Sequence, residues 1–390
     1  MLQRRDLTLE SPTTRRALRE LWGGRRLVVV SSPPGAGKTR LITVVTSELA
    51  RRRSASIVIA TPTRSQAVSI ASRMAGVANV SLSMSSPPEV IPDGVTLVRK
   101  PMDPAPGHIV IRTVASTVAK PPVCDLMVID ESYQATYLDV VCATQNANAL
   151  LTVGDPGQIG PVITIDPSIF ENCEFQPAPP APTVLAAHPQ AVNLVFDATY
   201  RLGPETTSVV RHLYPFSFST RRPDRGIAGT FEVEAVDISP ASSPYDQSAV
   251  SKISARVAAL IGKEIVESGQ VVGVLDQSGV AVILSHNAQC AAVTSRLASD
   301  GLSDVTVGTA DRLQGGEWPA VVALDPMFGY LQPSTHSSAA GRLCVMVSRH
   351  THHLTWIGPR GVTGVLAADT EMDPGDMAAA IEVREQIWSF

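Results

Sequence analysis

Aromatic residues are scarce, only 5% of the 390-residue chain, so few platforms exist on which a planar ligand could stack. Cysteine is thin as well. Cys124, Cys142, Cys173, Cys290 and Cys344 are scattered without a Cys-x-x-Cys pair, and they read as reduced core residues of a cytosolic protein. No basic-then-apolar leader opens the sequence and no apolar run approaches membrane-spanning length, which points to a soluble cytoplasmic protein with no membrane partner. An excess of positive charge is also missing. A formal net charge of −4 and a pI near 6.1 argue against a partner held by bulk charge, so any nucleic acid must be gripped locally. What is present is ordinary core material: 44% hydrophobic and 17% charged residues describe a folded chain with room for two or three domains.

The chain is organised around Ser31-Ser32-Pro33-Pro34-Gly35-Ala36-Gly37-Lys38-Thr39. Leu27 to Val30 read as a buried strand, and Leu41, Val44, Val45 and Leu49 fall at helical spacing, giving strand, glycine-rich turn and helix. Such a turn converges main-chain N–H groups on phosphate oxygens. Lys38 supplies a point charge to the β- and γ-phosphates, and the Thr39 hydroxyl can ligate Mg²⁺ at the helix N-terminus. The full phosphate-loop pattern has glycine where this chain has Ser32. The competing reading is a chance Gly-Lys-Thr on a solvated loop, which the strand-loop-helix context opposes.

Further strands are expected at Ile57–Ala60, Ile109–Ile111, Leu126–Ile129 and Leu150–Val153, with helices over Thr14–Trp22 and Gln66–Met74. Residues 81–107, rich in Ser and Pro, read as a loop. Gln176–Pro182 reads as a stiff extended segment near a domain seam. The second half repeats the alternation, with strands near Phe231–Val236, Val271–Leu275, Val280–Leu284, Val305–Gly308, Val321–Leu324 and Leu343–Val347. Between them Val250, Ile253, Val257, Leu260, Ile261 and Ile265 mark one face of a long helix. Near-continuous apolar strands alternating with helices predict an α/β fold of parallel sheets covered on both faces, with active groups at the carboxyl ends of strands.

Val128-Ile129-Asp130-Glu131 ends one strand in two carboxylates. Asp130 is placed to hold Mg²⁺ and Glu131 to orient or deprotonate an attacking water, although an Asp-Glu pair alone is also a common surface turn. Val153-Gly154-Asp155-Pro156-Gly157-Gln158 ends another. An amide such as Gln158 can donate to a γ-phosphate and accept from the water that replaces it; the plainer reading is a tight turn.

The order of these stretches resembles the superfamily 1 helicases, most closely their up-frameshift-like branch, from about Leu27 to Gly358. Ser32 to Thr39 is similar to motif I, Ala60-Thr61-Pro62-Thr63 to Ia, Ile111-Arg112-Thr113 to Ib, Asp130 to Gln134 to II and Gly154 to Gln158 to III. Thr199-Tyr200-Arg201 resembles motif IV, Ser285-His286-Asn287-Ala288-Gln289 the Pro-Tyr-x-x-Gln stretch, Val307 to Glu317 motif V and Val347-Ser348-Arg349-His350-Thr351 motif VI. That last form is also similar to helicases of alphavirus-like RNA viruses.

The resemblance implies two tandem RecA-like domains, residues 1–182 with motifs I to III and residues 183–390 with motifs IV to VI. It implies ATP held by Pro34, Gly35, Ala36, Gly37, Lys38, Thr39, Arg40, Gln314, Gly315 and Glu317, with Mg²⁺ on Thr39 and Asp130. Lys38, Glu131, Gln158, Arg201 and Arg349 become the catalytic set, the two arginines reaching from the second domain as planar cations toward the transferred phosphate. For either arginine alone a surface salt bridge is the ordinary alternative. Thr61, Pro62, Thr113 and Thr309 line a single-stranded DNA or RNA path read without sequence preference; as single residues they are equally well strand or cap residues. His350-Thr351-His352-His353 reads as a strand after motif VI, not a metal cluster.

Three departures stand out. Relatives carry an adenine-reading glutamine where this chain has Thr14, and a tyrosine where it has His286. They also carry a small barrel before motif I and a helical insertion between Ia and II, for which only residues 81–107 offer material. The expectation is therefore an ATP-dependent helicase or translocase, 5′→3′ by resemblance, with translocation favoured over processive unwinding. It leaves room for a protein partner in replication, repair or RNA processing. The rivals are a viral-type RNA helicase or triphosphatase and an ATP-switched binding subunit.

Overall fold

Apolar runs alternating with helices build a parallel sheet in each half of the chain. The computed structural model describes residues 10–163, 166–170, 172–173, 176–368 and 373–390; the start of the arginine-bearing opening, residues 1–9, lies outside them. By its contacts the chain forms two units, Met1–Pro156 with Gly160–Phe196, and Gly157–Ile159 with Asp197–Phe390.

In the first unit, β1 (Leu27–Ser31), β2 (Ile57–Thr61), β3 (Asn79–Ser83), β4 (Val95–Val98), β5 (His108–Thr113), β6 (Cys124–Asp130), β7 (Ala147–Gly154) and β8 (Val192–Val195) form one sheet in the order β4-β3-β5-β2-β6-β7-β1-β8. Its pairings are parallel. Alternate residues serve opposite faces. Val28, Val30, Ile57, Ile59, Ile109 and Ile111 pack with α1 (Pro12–Trp22), α2 (Lys38–Arg53) and α3 (Arg64–Met74). Val58, Ala60, Val110, Met127 and Ile129 pack with α4 (Val114–Ala119), α5 (Tyr137–Ala143) and α6 (Ala181–Leu185). Burial on both faces explains why these strands are apolar throughout, each fully buried Val or Ile contributing about 1.5–3 kcal/mol.

The second unit holds β9 (Ala198–Thr199), β10 (Ser219–Thr220), β11 (Arg225–Ile227), β12 (Val233–Asp237), β13 (Glu264–Glu267), β14 (Gln270–Val274), β15 (Val280–Leu284), β16 (Thr306–Thr309), β17 (Trp318–Leu324) and β18 (His350–Gly358). Its main sheet runs β12-β18-β17-β15-β16, all parallel. The helices are α7 (Pro204–Val210), α8 (Gln247–Leu260), α9 (Asn287–Ser299), α10 (Ala310–Leu313), α11 (Thr335–Ser338), α12 (Ala340–Ser348), α13 (Val362–Ala367) and α14 (Pro374–Ile387). Ala281, Ile283, Val321, Ala323, Leu354 and Trp356 face α7, α12 and α14, whereas Val280, Val282, Leu284, Val322 and Leu324 face α8 and α9. Both units are thus α/β layers around a parallel sheet.

Four local expectations are corrected. Residues 81–107 are not all loop, since the end of β3 and all of β4 lie there; Ser81 and Ser83 alternating with Val80 and Leu82, and Thr96 between Val95 and Leu97, hid two edge-side strands inside a polar composition. Leu343–Val347 is not a strand but the centre of α12, buried on all sides, and periodicity cannot separate a buried helix from a buried strand over so short a run. Val271–Leu275 yields β14, which joins the antiparallel order β11-β13-β14 outside the parallel sheet and leaves Val271, Val272 and Val274 exposed. The helical face expected to reach Ile265 stops at Leu260, because Gly262 turns the chain with φ +87° and Ile265 enters β13.

The Pro-rich segment 176–182 is tied to the first unit through Tyr137 N–H to Pro179 O (2.9 Å), Leu138 N–H to Pro177 O (3.1 Å) and Ala181 N–H to Ala135 O (2.9 Å). By contacts the chain parts between Phe196 and Asp197, beyond the expected boundary at residue 182.

Candidate nucleotide site

Strand β1 delivers Ser31 to the carboxyl edge of the first sheet, and seven residues later Lys38 opens α2. Ser32, buried, donates from its main-chain N–H (3.0 Å) and its hydroxyl (3.3 Å) to Gly154 O at the end of β7. The serine that replaces a pattern glycine is thus fastened to the neighbouring strand. Gly37 precedes α2 with φ +97°, a conformation costly for any side chain. It gives the helix no side-chain cap. A 16-residue helix therefore starts with its first N–H groups and the positive end of its dipole uncommitted to a capping side chain. That is a ready anion site.

Three carboxylates converge on Lys38 from adjoining strand ends. Its ammonium lies 3.2 Å from Glu131 Oε1 and 3.9 Å from Asp155 Oδ2. Burial alone would lower its pKa, but Glu131, Asp155 and Asp130 outweigh burial and hold it raised. Burial, with Glu131 alongside, pushes the Asp130 carboxyl up to about 7 against the pull of Lys38. Glu131 sits at φ +49°, a left-handed conformation unusual for a non-glycine residue and typical of functional sites. Tyr133 OH pairs with Ser31 Oγ at 3.0 Å, binding the segment after the carboxylates back to the phosphate loop.

The residues fit a magnesium ion. Asp130 Oδ1 is buried without a hydrogen-bond partner among the described residues, an orphan oxygen of the kind a hard cation satisfies. Thr39 stands at the second position of α2 with a hydroxyl available in kind. Among the described residues no three His, Cys, Asp or Glu side chains form a metal cage, so the remaining ligands would be phosphate and water oxygens. Arg40, one residue on, forks onto the buried Glu10 with Nε–Oε2 at 2.7 Å and Nη2–Oε1 at 3.0 Å.

A second group of expected residues gathers on the second unit. Gln314 Nε2 donates to Gln158 Oε1 at 3.3 Å, and Gly315, beside it, has φ +89°. Arg201 ion-pairs with Glu317, and its Nη1 donates to Ser348 O at 3.2 Å. Arg349 is 2% exposed, its Nη2 donates to Ser348 Oγ at 3.2 Å and its Nε has no hydrogen-bond partner among the described residues. Five residues that are far apart in sequence, Gln158, Arg201, Gln314, Glu317 and Arg349, are thereby linked in pairs or through Ser348.

Residues 15–164 match the family described as an AAA domain. That segment runs from α1 to just past β7 and contains the whole Lys38 cluster. No curated protein matches the chain. Among solved structures the chain is similar to the PRRSV helicase, at 16% identity and TM-score 0.48 over 89% of this chain and 54% of that one. It is similar also to arterivirus nonstructural protein 10 (helicase), at 14% identity and TM-score 0.48 over 88% and 61% of the two chains. The same viral protein in complex with DNA gives 16%, 0.47, 88% and 62%. The chain thus spans between 54% and 62% of the length of those structures.

Each of the residues expected along a strand path is partly or wholly buried. Thr61 is buried and donates to Thr63 O at 2.9 Å, with Pro62 half-buried next to it. Thr113 caps α4 and Thr309 caps α10 through hydrogen bonds of 3.3 and 3.4 Å. Thr14 is buried in the Ser11 cap of α1. Sequence reasoning missed Asp155, which no spacing rule distinguishes from a turn residue, and an imidazole stack. His286 lies parallel to His336 with centroids 4.8 Å apart, and Tyr330 OH meets His286 Nε2 at 2.8 Å. Among the described residues no helix is long and apolar enough to cross a membrane.

Proposed function

We propose that this chain is a nucleic-acid-dependent nucleoside triphosphatase of superfamily 1 helicase type, built as two RecA-like domains. The observation that carries the reading is Lys38, which heads an uncapped helix while held between Glu131 and Asp155 and beside Asp130. A salt bridge made for stability has no use for three acidic groups around one cation at a helix N-terminus. A triphosphate does, because its oxygens take the helix N–H groups and Lys38, releasing Glu131 to act on water.

In this reading Lys38 and the loop N–H groups bind the β- and γ-phosphates, and Thr39 and Asp130 would hold magnesium, which supplies charge neutralisation of the phosphate oxygens. Glu131 accepts a proton as water attacks the γ-phosphorus. The bond to the β,γ-bridging oxygen breaks, and the diphosphate leaves with that electron pair. Arg201 and Arg349 supply cations for charge developing on the transferred group, and Gln158 orients the water. Branch, 5′→3′ polarity, ATP as the nucleotide and the contacts of Thr61, Pro62, Thr113 and Thr309 with a strand rest on motif resemblance, and the cytoplasmic setting on the scattered cysteines.

Hydrolysis of ATP and GTP should be measured with and without single-stranded DNA and RNA at a stated salt concentration. Many turnovers stimulated by one of the strands are expected. Hydrolysis indifferent to any strand would remove the helicase reading and leave a simple triphosphatase, and slow hydrolysis with tight strand retention would favour a switch.

A further inference from the structure

Glu232, which sequence patterns leave without a role, stands one residue before β12 with its side chain only 7% exposed and an unusual set of partners. Its Oε1 accepts from Gly203 N–H (2.7 Å) and from the Thr206 hydroxyl (2.6 Å), and its Oε2 from Glu205 N–H (3.1 Å). Arg222 Nη2 lies 3.8 Å from Oε2. The Thr206 hydroxyl also meets His350 Nε2 at 2.8 Å, and that ring nitrogen stands 3.9 Å from Glu232 Oε1. Arg222 completes the ring by donating to Thr351 O at 2.7 Å.

These contacts join two segments that each follow an expected catalytic arginine. Gly203 comes two residues after Arg201, and His350 comes one after Arg349. The arginines also meet at Ser348, which gives its carbonyl to Arg201 and its hydroxyl to Arg349. Gly203 records how tightly the clasp is drawn. A Cβ there would fall 2.3 Å from Glu232 Oε2 and 2.4 Å from Arg222 Nη2, so any side chain at this position must displace the ends of both. Although burial favours the neutral acid, His350, Thr206 and Arg222 hold the Glu232 carboxyl down at about 2, so it is an anion throughout the working range. Removing that charge leaves several main-chain and guanidinium donors buried without an acceptor.

We infer that Glu232, seconded by Arg222, is a positioning residue that fixes the spacing of Arg201 and Arg349. The inference rests on the hydrolase reading above. Glu232 touches neither substrate nor reacting atoms; it acts through the two arginines, and its loss should slow turnover while leaving ground-state nucleotide binding intact.

The test is Glu232→Gln in the full chain, with Gly203→Ala as an independent way of prising the clasp. Steady-state kcat and KM are measured alone and on an Arg349→Ala background, alongside thermal melts. Each variant should lower kcat roughly tenfold or more with KM within about twofold. On the Arg349→Ala background the same change should cost distinctly less than it does alone, since one of the two residues it acts through is already gone. A full-sized loss on that background, or a loss tracking the unfolded fraction, would overturn the proposal. Wild-type hydrolysis matched by Glu232→Gln sinks the clasp alone, whereas an inert wild type sinks the hydrolase reading and the clasp with it.

Discussion

The Lys38 ammonium stands 3.2 Å from Glu131 Oε1, so the cation proposed to bind phosphate and the proposed base neutralise one another. On the function proposed above, a triphosphate breaks this pair as it binds and frees the carboxylate for water. Lys38→Ala should therefore abolish hydrolysis and weaken binding. Glu131→Gln should reduce turnover by about 10²–10⁴ while binding nucleotide at least as well as wild type, because Lys38 has lost a competitor. Initial rates and a fluorescent-nucleotide titration check both, and near-normal turnover in Glu131→Gln would remove it as the base.

Gly154 offers a test that touches no chemical group. A Cβ at this position would lie 2.8 Å from Ser132 Oγ and Tyr133 Cδ2 and 3.0 Å from Ser132 N. Those residues directly follow Glu131, and Gly154 O also receives Ser32. Gly154→Ala should cost about 1–3 kcal/mol of stability by overpacking and lower kcat by shifting Glu131. Chemical denaturation and initial rates measure the two effects; a variant as stable and active as wild type would show that the segment yields freely.

In the second unit Arg384 on α14 forks onto Asp325 after β17, Nε–Oδ2 and Nη2–Oδ1 both 2.8 Å, with side chains 0% and 1% exposed. Desolvation makes such a pair poor net stabilisation, but losing one partner strands the other charge. Arg384→Met should destabilise by about 3–5 kcal/mol, and the double change with Asp325→Leu should recover much of the loss. Equal melting points for the single and double variants would contradict this account.

Acid should unfold the second unit early. His353 is fully buried, with Nδ1 2.7 Å from Phe231 O and Nε2 2.7 Å from Thr355 Oγ1. Burial is the main cause of its pKa falling from 6.5 to about 3. The unfolded chain binds the extra proton in that window, so the contribution to stability is complete above pH 6.5 and is lost as pH falls toward 3. Glu232, at about 2 against an ordinary 4.5, adds a further loss from 4.5 downward. Melting temperatures should fall steadily below pH 6.5 and His353→Asn should flatten part of the slope; a flat wild-type profile down to pH 4 would refute it.

The strand, glycine-rich loop and helix around Lys38 were legible because their geometry is local. Strand, turn glycines, Lys38 and the helix behind it occupy adjacent positions, and main-chain geometry leaves a sequence little choice there. Asp130 and Glu131 were legible for the same reason, as a strand end facing that loop. The Leu343–Val347 run was misread because burial on every side erases the periodicity that separates helix from strand. Thr113 and Thr309, expected along a strand path, also cap α4 and α10, a role that the sequence reading held equally open.

Alone, the sequence determined the alternation of buried strands and helices and the charged groups at strand ends, since backbone propensity and apolar pattern act over a few residues. Tertiary structure decided which distant groups share a charge balance. Asp155 at Lys38, Glu317 on Arg201, and Glu232 beneath Gly203 and His350 are neighbours only because parallel strands bring remote segments to a common edge. Electrostatic coupling depends on distance through space and on burial, and neither is written in the order of residues along the chain.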